Sequence, residues 1–303
     1  MSSPSFTKIY RQDTYPAIDP SRPENSVKDK TVIVTGAGIG GIGSEVALSF
    51  AKAGATKIAI VGRTEKTLQG TKTAIGNAYP KTNVFIAVAD VGKAESMGCA
   101  AHDIRVAIGA WDIFANYAAA LPPLSTIAGA DEDTSWDAFE AIARFPFHFA
   151  KHFAPKARPN ATFINANAGA SHLPAAQLPK CSAYCAAKLA AAKLDDYLAV
   201  ENPNLRVFTV HPGVIDTSML KQVFGNTGGK ELPKGISAVL SQVALPAHFT
   251  VWLASAEADF LRGRYIWVNW DVEELTSRRQ EIEKDPLLFK IVLGGWPFQE
   301  TKS

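Results

Sequence analysis

Thr31-Val32-Ile33-Val34-Thr35 is an unbroken run of β-branched residues, and Gly36-Ala37-Gly38-Ile39-Gly40-Gly41-Ile42-Gly43 follows it directly. Such a run reads as a strand buried on both faces. Strands of that kind belong to parallel sheets, whose helical crossovers cover both sides. Glycines at the end of the strand let backbone approach a phosphate that any Cβ would hold off. The helical stretch Ser44 to Ala53 would then aim its N-terminal dipole end at that anion. One segment therefore predicts both a doubly wound α/β sheet and a pyrophosphate ligand.

The pattern continues along the chain. Strands are expected at Lys57 to Val61, Asn83 to Ala89, Ile113 to Ala118, Thr162 to Asn165, Arg206 to His211 and Tyr265 to Val268. Helices are expected at Glu65 to Asn77, Glu95 to Ile108, Ser135 to Phe153 (interrupted near Pro146), Ser182 to Val200 and Val272 to Lys284. This alternation predicts a Rossmann-like doubly wound parallel sheet in a single domain. Residues 1–27 are polar and carry Pro4, Pro16, Pro20 and Pro23, which suggests an N-terminal arm lying on the surface or on a partner. Residues 28–271 form the binding domain and 272–303 a helical tail ending in Trp296-Pro297-Phe298. Gly225, Gly228, Gly229 and Gly235 mark residues 215–235 as a lid.

Composition excludes several classes. The 303 residues are 47% apolar and 20% charged, as in a globular protein with a large core. A formal charge of +2 gives no reason to expect nucleic acid. No apolar stretch reaches the roughly 18 residues of a membrane span. The N-terminus carries Lys8, Arg11 and Asp13 with no apolar core, which argues against a secretory signal. Cys99, Cys181 and Cys185 are an odd, sparse set suited to a reducing, cytoplasmic compartment. Cys181 and Cys185 read as small buried residues rather than a redox pair.

Tyr184 and Lys188 lie four residues apart and so on one helix face. A phenol titrates near 10, and a neighbouring ammonium favours its ionised form, which suits proton transfer near neutrality. At the end of the second strand, Gly62 stands where a carboxylate would accept from a ribose 2′-hydroxyl, and Arg63 follows. A guanidinium without that carboxylate favours a 2′-phosphate, hence NADP(H) over NAD(H).

With these motifs in order, the chain resembles the short-chain dehydrogenase/reductase family over about residues 30 to 271. Thr35 to Gly43 looks like the family's Thr-Gly-x-x-x-Gly-x-Gly loop with one residue inserted, so that Gly36, Gly41, Ile42 and Gly43 would hold the pyrophosphate. Asp90 and Val91 look like its adenine-contacting pair. Asn116-Tyr117-Ala118-Ala119 resembles its Asn-Asn-Ala-Gly motif, with two of the four positions kept. Pro212-Gly213-Val214-Ile215-Asp216-Thr217 matches the Pro-Gly-x-x-x-Thr segment that holds the nicotinamide carboxamide. The resemblance makes Tyr184 the proton donor and Lys188 its partner, which also binds the nicotinamide ribose. It implies a homodimer or homotetramer.

Two family groups are displaced. The strand that should end in a catalytic serine reads Phe163-Ile164-Asn165-Ala166-Asn167-Ala168-Gly169-Ala170-Ser171. Counted from the strand, the slot falls on Asn167 or Ala168; counted back from Tyr184, it falls on Ser171, with Asn167 able to offer an amide instead. The family's helix asparagine is also absent after Trp136-Asp137, where Ala141-Ile142-Ala143-Arg144 stands. An oxyanion donor of this kind contributes on the order of ~3 kcal/mol in other enzymes. His148 and His152 have neither the intervening glutamate nor a third ligand of a zinc site, and with Phe145, Phe147, Phe149 and Phe153 suggest a packed helix. His172 is either a second proton donor or a loop cap. The ending Phe260 to Asp271 looks like a fungal subgroup often tied to secondary metabolism, in which Trp267, Trp270 and Trp296 line an apolar pocket or fill core.

The sequence thus predicts an NADPH-dependent carbonyl reductase, or the reverse alcohol dehydrogenase, for a bulky apolar small molecule, with Tyr184, Lys188 and Ser171 catalytic. The alternatives are a non-redox isomerase, eliminase or cyclase that keeps NADP(H) as a ligand, and a non-catalytic nucleotide-sensing scaffold.

Overall fold

The computed structural model describes residues 5–217, 220–221 and 240–294. Most of the predicted lid, and Trp296, lie outside the described residues. β1 (Thr31–Thr35) is buried along its whole length, as its β-branched run demands. It pairs in parallel with β2 (Lys57–Gly62) on one side and, across the sheet's switch in direction, with β4 (Trp111–Asn116) on the other. With β3 (Asn83–Val88), β5 (Ala157–Ala166), β6 (Arg206–His211) and β9 (Tyr265–Trp267) the order is β3-β2-β1-β4-β5-β6-β9, parallel throughout. A small pair, β7 (Val214–Ile215) with β8 (Leu240–Ser241), stands apart. Ligands of such sheets bind beyond the carboxyl ends of the strands, at the switch point.

Successive residues of each strand serve opposite faces. Val32, Val34, Ile58 and Ile60 pack on α1 (Ile42–Lys52) and α2 (Glu65–Ala78) through Val46, Phe50, Leu68 and Ile75. Ile33, Ala59, Val61 and Phe114 face the other way, onto α3 (Ala94–Ile108) through Met97 and Ile104. Phe114 is also edge-on to Phe149 and Phe153, with ring centroids 5.1 and 4.9 Å away.

The long helix expected from Ser135 to Phe153 is two helices, α4 (Glu132–Ala143) and α5 (Phe145–His152), joined at Arg144. Pro146 has no N–H to give an interior helix bond and so sits in a first turn, where none is needed. Phe145, Phe149 and Phe153 are buried, whereas Phe147 faces outward. Beyond them lie α6 (Ser182–Glu201) and α7 (Ala244–Leu253). The tail helix divides at Arg278 into α8 (Val272–Ser277) and α9 (Arg279–Lys284).

The N-terminal segment is tied to its own chain. The Arg11 amide donates to Asn269 O at 2.7 Å, and the Tyr15 hydroxyl accepts from the Val272 amide at 3.0 Å. Tyr15 and Ile18 are buried in one cluster with Phe208, Phe249, Trp252 and Trp270.

Candidate active site

The glycine loop leaves β1 at Gly36, whose φ of +68° is left-handed. A Cβ there would stand 2.5 Å from the Tyr117 carbonyl, so only glycine lets the loop cross the end of β4 this closely. Gly43 is equally constrained, since its Cβ would meet Gly36 O at 2.5 Å. Between them the extra residue is taken up by a turn at Gly40, φ +85°, where a Cβ would have open space. Gly41 caps α1, leaving the Ile42 and Gly43 amides in a first turn that lacks intrahelical partners. The loop is tied to β2 by Ala37 N–H donating to Val61 O at 3.2 Å. Arg63 emerges beside it, exposed and without an ion pair to any described residue. Close backbone, a free helix N-terminus and an unpaired guanidinium fit a dinucleotide carrying a 2′-phosphate.

Asp90 closes the next turn, its Oδ1 accepting from the Gly92 amide at 2.9 Å, and Val91 O accepts from His148 Nδ1 at 2.9 Å. Gly213, φ +79°, leads from Pro212 to Val214 in β7 and lies against Ser241 and Asn269. Asn269 Oδ1 is buried there without a partner. Thr217 Oγ1 accepts from the Leu220 amide at 3.3 Å.

Asn116 is a structural link. Its Oδ1 accepts from Thr35 Oγ1 and from the Ala118 amide, and its Nδ2 donates to Asn165 Oδ1 at 2.7 Å. Asn165 Nδ2 donates in turn to both Asp195 oxygens at 3.0 and 2.9 Å, and Thr209 Oγ1 donates to Asp195 Oδ2 at 2.9 Å. A polar chain thus crosses β1, β4, β5 and β6 and ends on a carboxyl buried under α6. Burial pushes Asp195 up to about 7, against the pull of its donors and of Lys188.

Tyr184 and Lys188 occupy the first two turns of α6, as their spacing predicts. Lys188 is buried, donates from Nζ to Ala166 O at 2.9 Å, and stands 5.9 Å from the centre of the Tyr184 ring. Burial lowers Lys188 to about 8, partly offset by Asp195. The expected depression of the phenol by the ammonium is not seen. Burial, aided by Cys185 and Cys181, pushes Tyr184 above its ordinary value, so it holds its proton. A narrow cleft lined by Pro122, Leu124, Ser135, Cys181 and Ala183 opens beside Tyr184. Cys181 and Cys185, expected to be buried, are half-buried thiols that their surroundings keep protonated.

Asn167 is committed: its Nδ2 donates to Lys188 O at 2.9 Å and its Oδ1 accepts from the Ala168 amide at 2.8 Å. Ser171 is buried in a short turn after β5, 3.4 Å from Tyr265 Oη and 3.3 Å from His172 Nδ1. His172 takes a hydrogen bond at Nε2 from Trp267 Nε1–H at 3.2 Å. His211 accepts the Gly169 amide at Nδ1, 3.0 Å, and burial drives it down to about 3. Trp270 is buried and stacks parallel to Trp267, with Phe289 on its flank. Tyr265, Asp195 and His211 carry no motif and were not found from sequence. The one available signal was a phenol and an imidazole at the ends of strands otherwise made of core residues.

His148 and His152 do not converge. His152 packs beside Gly98 with Nε2 buried and unpartnered. Among the described residues no group of three or more His, Cys, Asp or Glu could hold a metal, and no helix is long and apolar enough to cross a membrane.

The model of the short chain dehydrogenase family matches residues 30–227. A short chain dehydrogenase/reductase of Claviceps purpurea is 31% identical over 288 residues, covering 94% of this chain and 92% of that protein. The short chain dehydrogenase/reductase nsrO of Aspergillus novofumigatus is 31% identical over 294 residues, covering 94% and 95%. Among solved structures, the L-sorbose reductase of Gluconobacter frateurii, complexed with NADPH and L-sorbose, superposes with a TM-score of 0.71 at 22% identity, covering 82% of this chain and 98% of that one.

Proposed function

The chain belongs to the short-chain dehydrogenase/reductase family, and on that premise we propose that it is an NADPH-dependent carbonyl reductase, reversible as an alcohol dehydrogenase. Its substrate would be a bulky, largely apolar small molecule of the kind handled in fungal secondary metabolism. The observation that carries this reading is the proton-bearing Tyr184 phenol beside Lys188, at the carboxyl end of β5, on the side of the sheet's ends where the glycine loop opens. NADPH, when bound, supplies the hydride that reaches the carbonyl carbon. Gly36, Gly41, Ile42 and Gly43 would carry its pyrophosphate, Arg63 its 2′-phosphate, and Asp90 and Val91 its adenine. Asn116, Pro212, Gly213, Val214 and Thr217 would frame the nicotinamide end. Tyr184 Oη–H gives its proton to the carbonyl oxygen as charge develops there, so a phenol kept protonated by burial is in the state a donor must start from. The buried Lys188 ammonium stabilises the tyrosinate left behind. Trp267 and His172 give the mouth of the site an aromatic wall suited to apolar groups.

Phenanthrenequinone, a flat apolar dicarbonyl, serves as probe. The wild-type chain should consume NADPH with it, and Tyr184→Phe should abolish turnover while still binding NADPH. No NADPH consumption by the wild type, or full turnover by Tyr184→Phe, overturns the reading.

A further inference from the structure

We infer that Tyr265, on the last strand of the sheet, is a second catalytic phenol, donating a hydrogen bond to the substrate's carbonyl oxygen in place of the missing serine. The inference rests on the carbonyl-reductase reading above.

The vacancy comes first. The strand count puts the serine slot at Asn167 or Ala168. Asn167 spends its amide on the Lys188 carbonyl and its oxygen on the Ala168 amide, and Ala168 has no polar side chain. No hydroxyl therefore comes from the end of β5 itself. The turn that follows Ala168 packs against the last strand: Gly169 lies against the Trp267 ring, and Ser171 Oγ is 3.4 Å from Tyr265 Oη. The Tyr265 phenol thus stands beside Ser171, in the turn where the count from Tyr184 puts the serine.

The direction of the hydrogen bonds leaves Tyr265 free to donate. Trp267 Nε1 can only donate, so its 3.2 Å bond makes His172 Nε2 the acceptor and leaves the ring proton on Nδ1. That Nδ1–H points to Ser171 Oγ at 3.3 Å. The Ser171 hydroxyl is then free to send its own proton to Tyr265 Oη, at 3.4 Å. Tyr265 accepts, and its O–H has no acceptor among the described residues. A hydroxyl that accepts one bond donates the next more strongly. The ring is held in place, 93% buried, with the His172 ring edge-on at 4.9 Å. Ser171 on this account orients Tyr265 rather than the substrate.

The chemistry balances without a further reactant. Hydride reaches the carbonyl carbon, Tyr184 transfers its proton to the oxygen, and Tyr265 keeps its own proton while its hydrogen bond shortens onto the developing oxyanion. Removing one such donor costs roughly 10²–10³ in kcat.

The test is steady-state reduction of phenanthrenequinone by the full chain, with NADPH affinity measured separately by fluorescence titration. Tyr265→Phe should lower kcat by roughly 10²–10³ with NADPH affinity unchanged. Ser171→Ala, which keeps the phenol and its packing, should lower kcat about tenfold by removing the bond that orients it. Adding Ala168→Ser to Tyr265→Phe should restore at least about tenfold, because a hydroxyl returns to the strand slot. Full turnover by Tyr265→Phe, beside an inactive Tyr184→Phe, overturns the role of Tyr265 and leaves the reductase reading standing. Loss of NADPH affinity in step with kcat, with no rescue by Ala168→Ser, also overturns it. Equal turnover by wild type and Tyr184→Phe overturns the reductase reading instead.

Discussion

Arg63 stands just past the carboxyl end of β2, exposed, next to the glycine loop that precedes α1. Gly62 before it leaves no carboxylate to repel a 2′-phosphate. A charge-assisted hydrogen bond contributes ~1.5–3 kcal/mol, so Arg63→Ala should weaken NADPH binding about ten- to a hundredfold and leave NADH nearly unchanged. Calorimetric titration with both nucleotides checks this, and equal losses for the two would remove Arg63 from the 2′-phosphate. The placement of Arg63, Tyr184 and Lys188 was legible in the sequence because it is local: one follows a strand, and the others are a helical turn apart. The proposed hydroxyl partner was not, because three elements assemble it. Ser171 lies in a turn inserted after β5, His172 takes its tautomer from Trp267, and Tyr265 arrives on a strand far downstream.

The sheet itself carries a titrating element. Thr35, Asn116, Asn165 and Thr209 sit on four neighbouring strands and deliver their hydrogen bonds, directly or in sequence, to Asp195 on α6. Asp195 titrates near 3.8 when unfolded but near 7 in the fold, with Asp196 adding to the rise and Lys188 opposing it. Between those values the folded chain carries the extra proton, so stability falls as pH rises through the window and levels off above about 7. Lys188, lowered from 10.5 to about 8, acts oppositely, and stability recovers from about 8 to 10.5. The Asp195→Asn variant cannot titrate there. Its stability relative to wild type should therefore improve by ~2–4 kcal/mol between about pH 4 and about pH 8. Denaturant melts at the two pH values measure it, and a constant difference would show that Asp195 is ionised throughout. At this scale the strands of the main sheet were legible, because runs such as Thr31 to Thr35 announce burial by composition alone. α7 and the small β7–β8 pair were not: Ala244–Leu253 is buried almost all round, so it lacks the one-sided periodicity that marks a surface helix.

The order of the molecule's parts in space is not their order in the chain, and the N-terminal segment shows what that does for the site. Glu274 at the start of α8 accepts the Lys8 and Ile9 amides, each at 2.8 Å. Asp271 caps α8 through its Oδ1 to the Glu274 amide, and its Oδ2 receives Arg11 Nη2 at 2.7 Å. The first residues thus clasp the segment that immediately follows β9, the strand bearing Tyr265 and Trp267. Asp271 is almost wholly buried, whereas Arg11 is 29% exposed and also lies over the Tyr15 ring at 4.2 Å. Breaking a buried pair by removing one partner costs ~3–5 kcal/mol. Partial exposure of Arg11 and the capping bond that remains to Asp271 reduce this to roughly 2 kcal/mol. For a chain of this size that is a fall of about 3 °C in Tm for Arg11→Ala, read by calorimetry. Adding Asp271→Asn should recover part of the loss, because the stranded charge is then gone. NADPH affinity should stay the same in both variants, since the glycine loop and Arg63 lie at the other half of the sheet and the Arg11 backbone bonds to Asn269, beside Gly213, are kept. If Arg11→Ala melts with wild type, the Arg11–Asp271 pair contributes nothing to stability. If both variants lose NADPH affinity along with Tm, the N-terminal segment acts on the whole nucleotide site rather than on the strand that carries Tyr265.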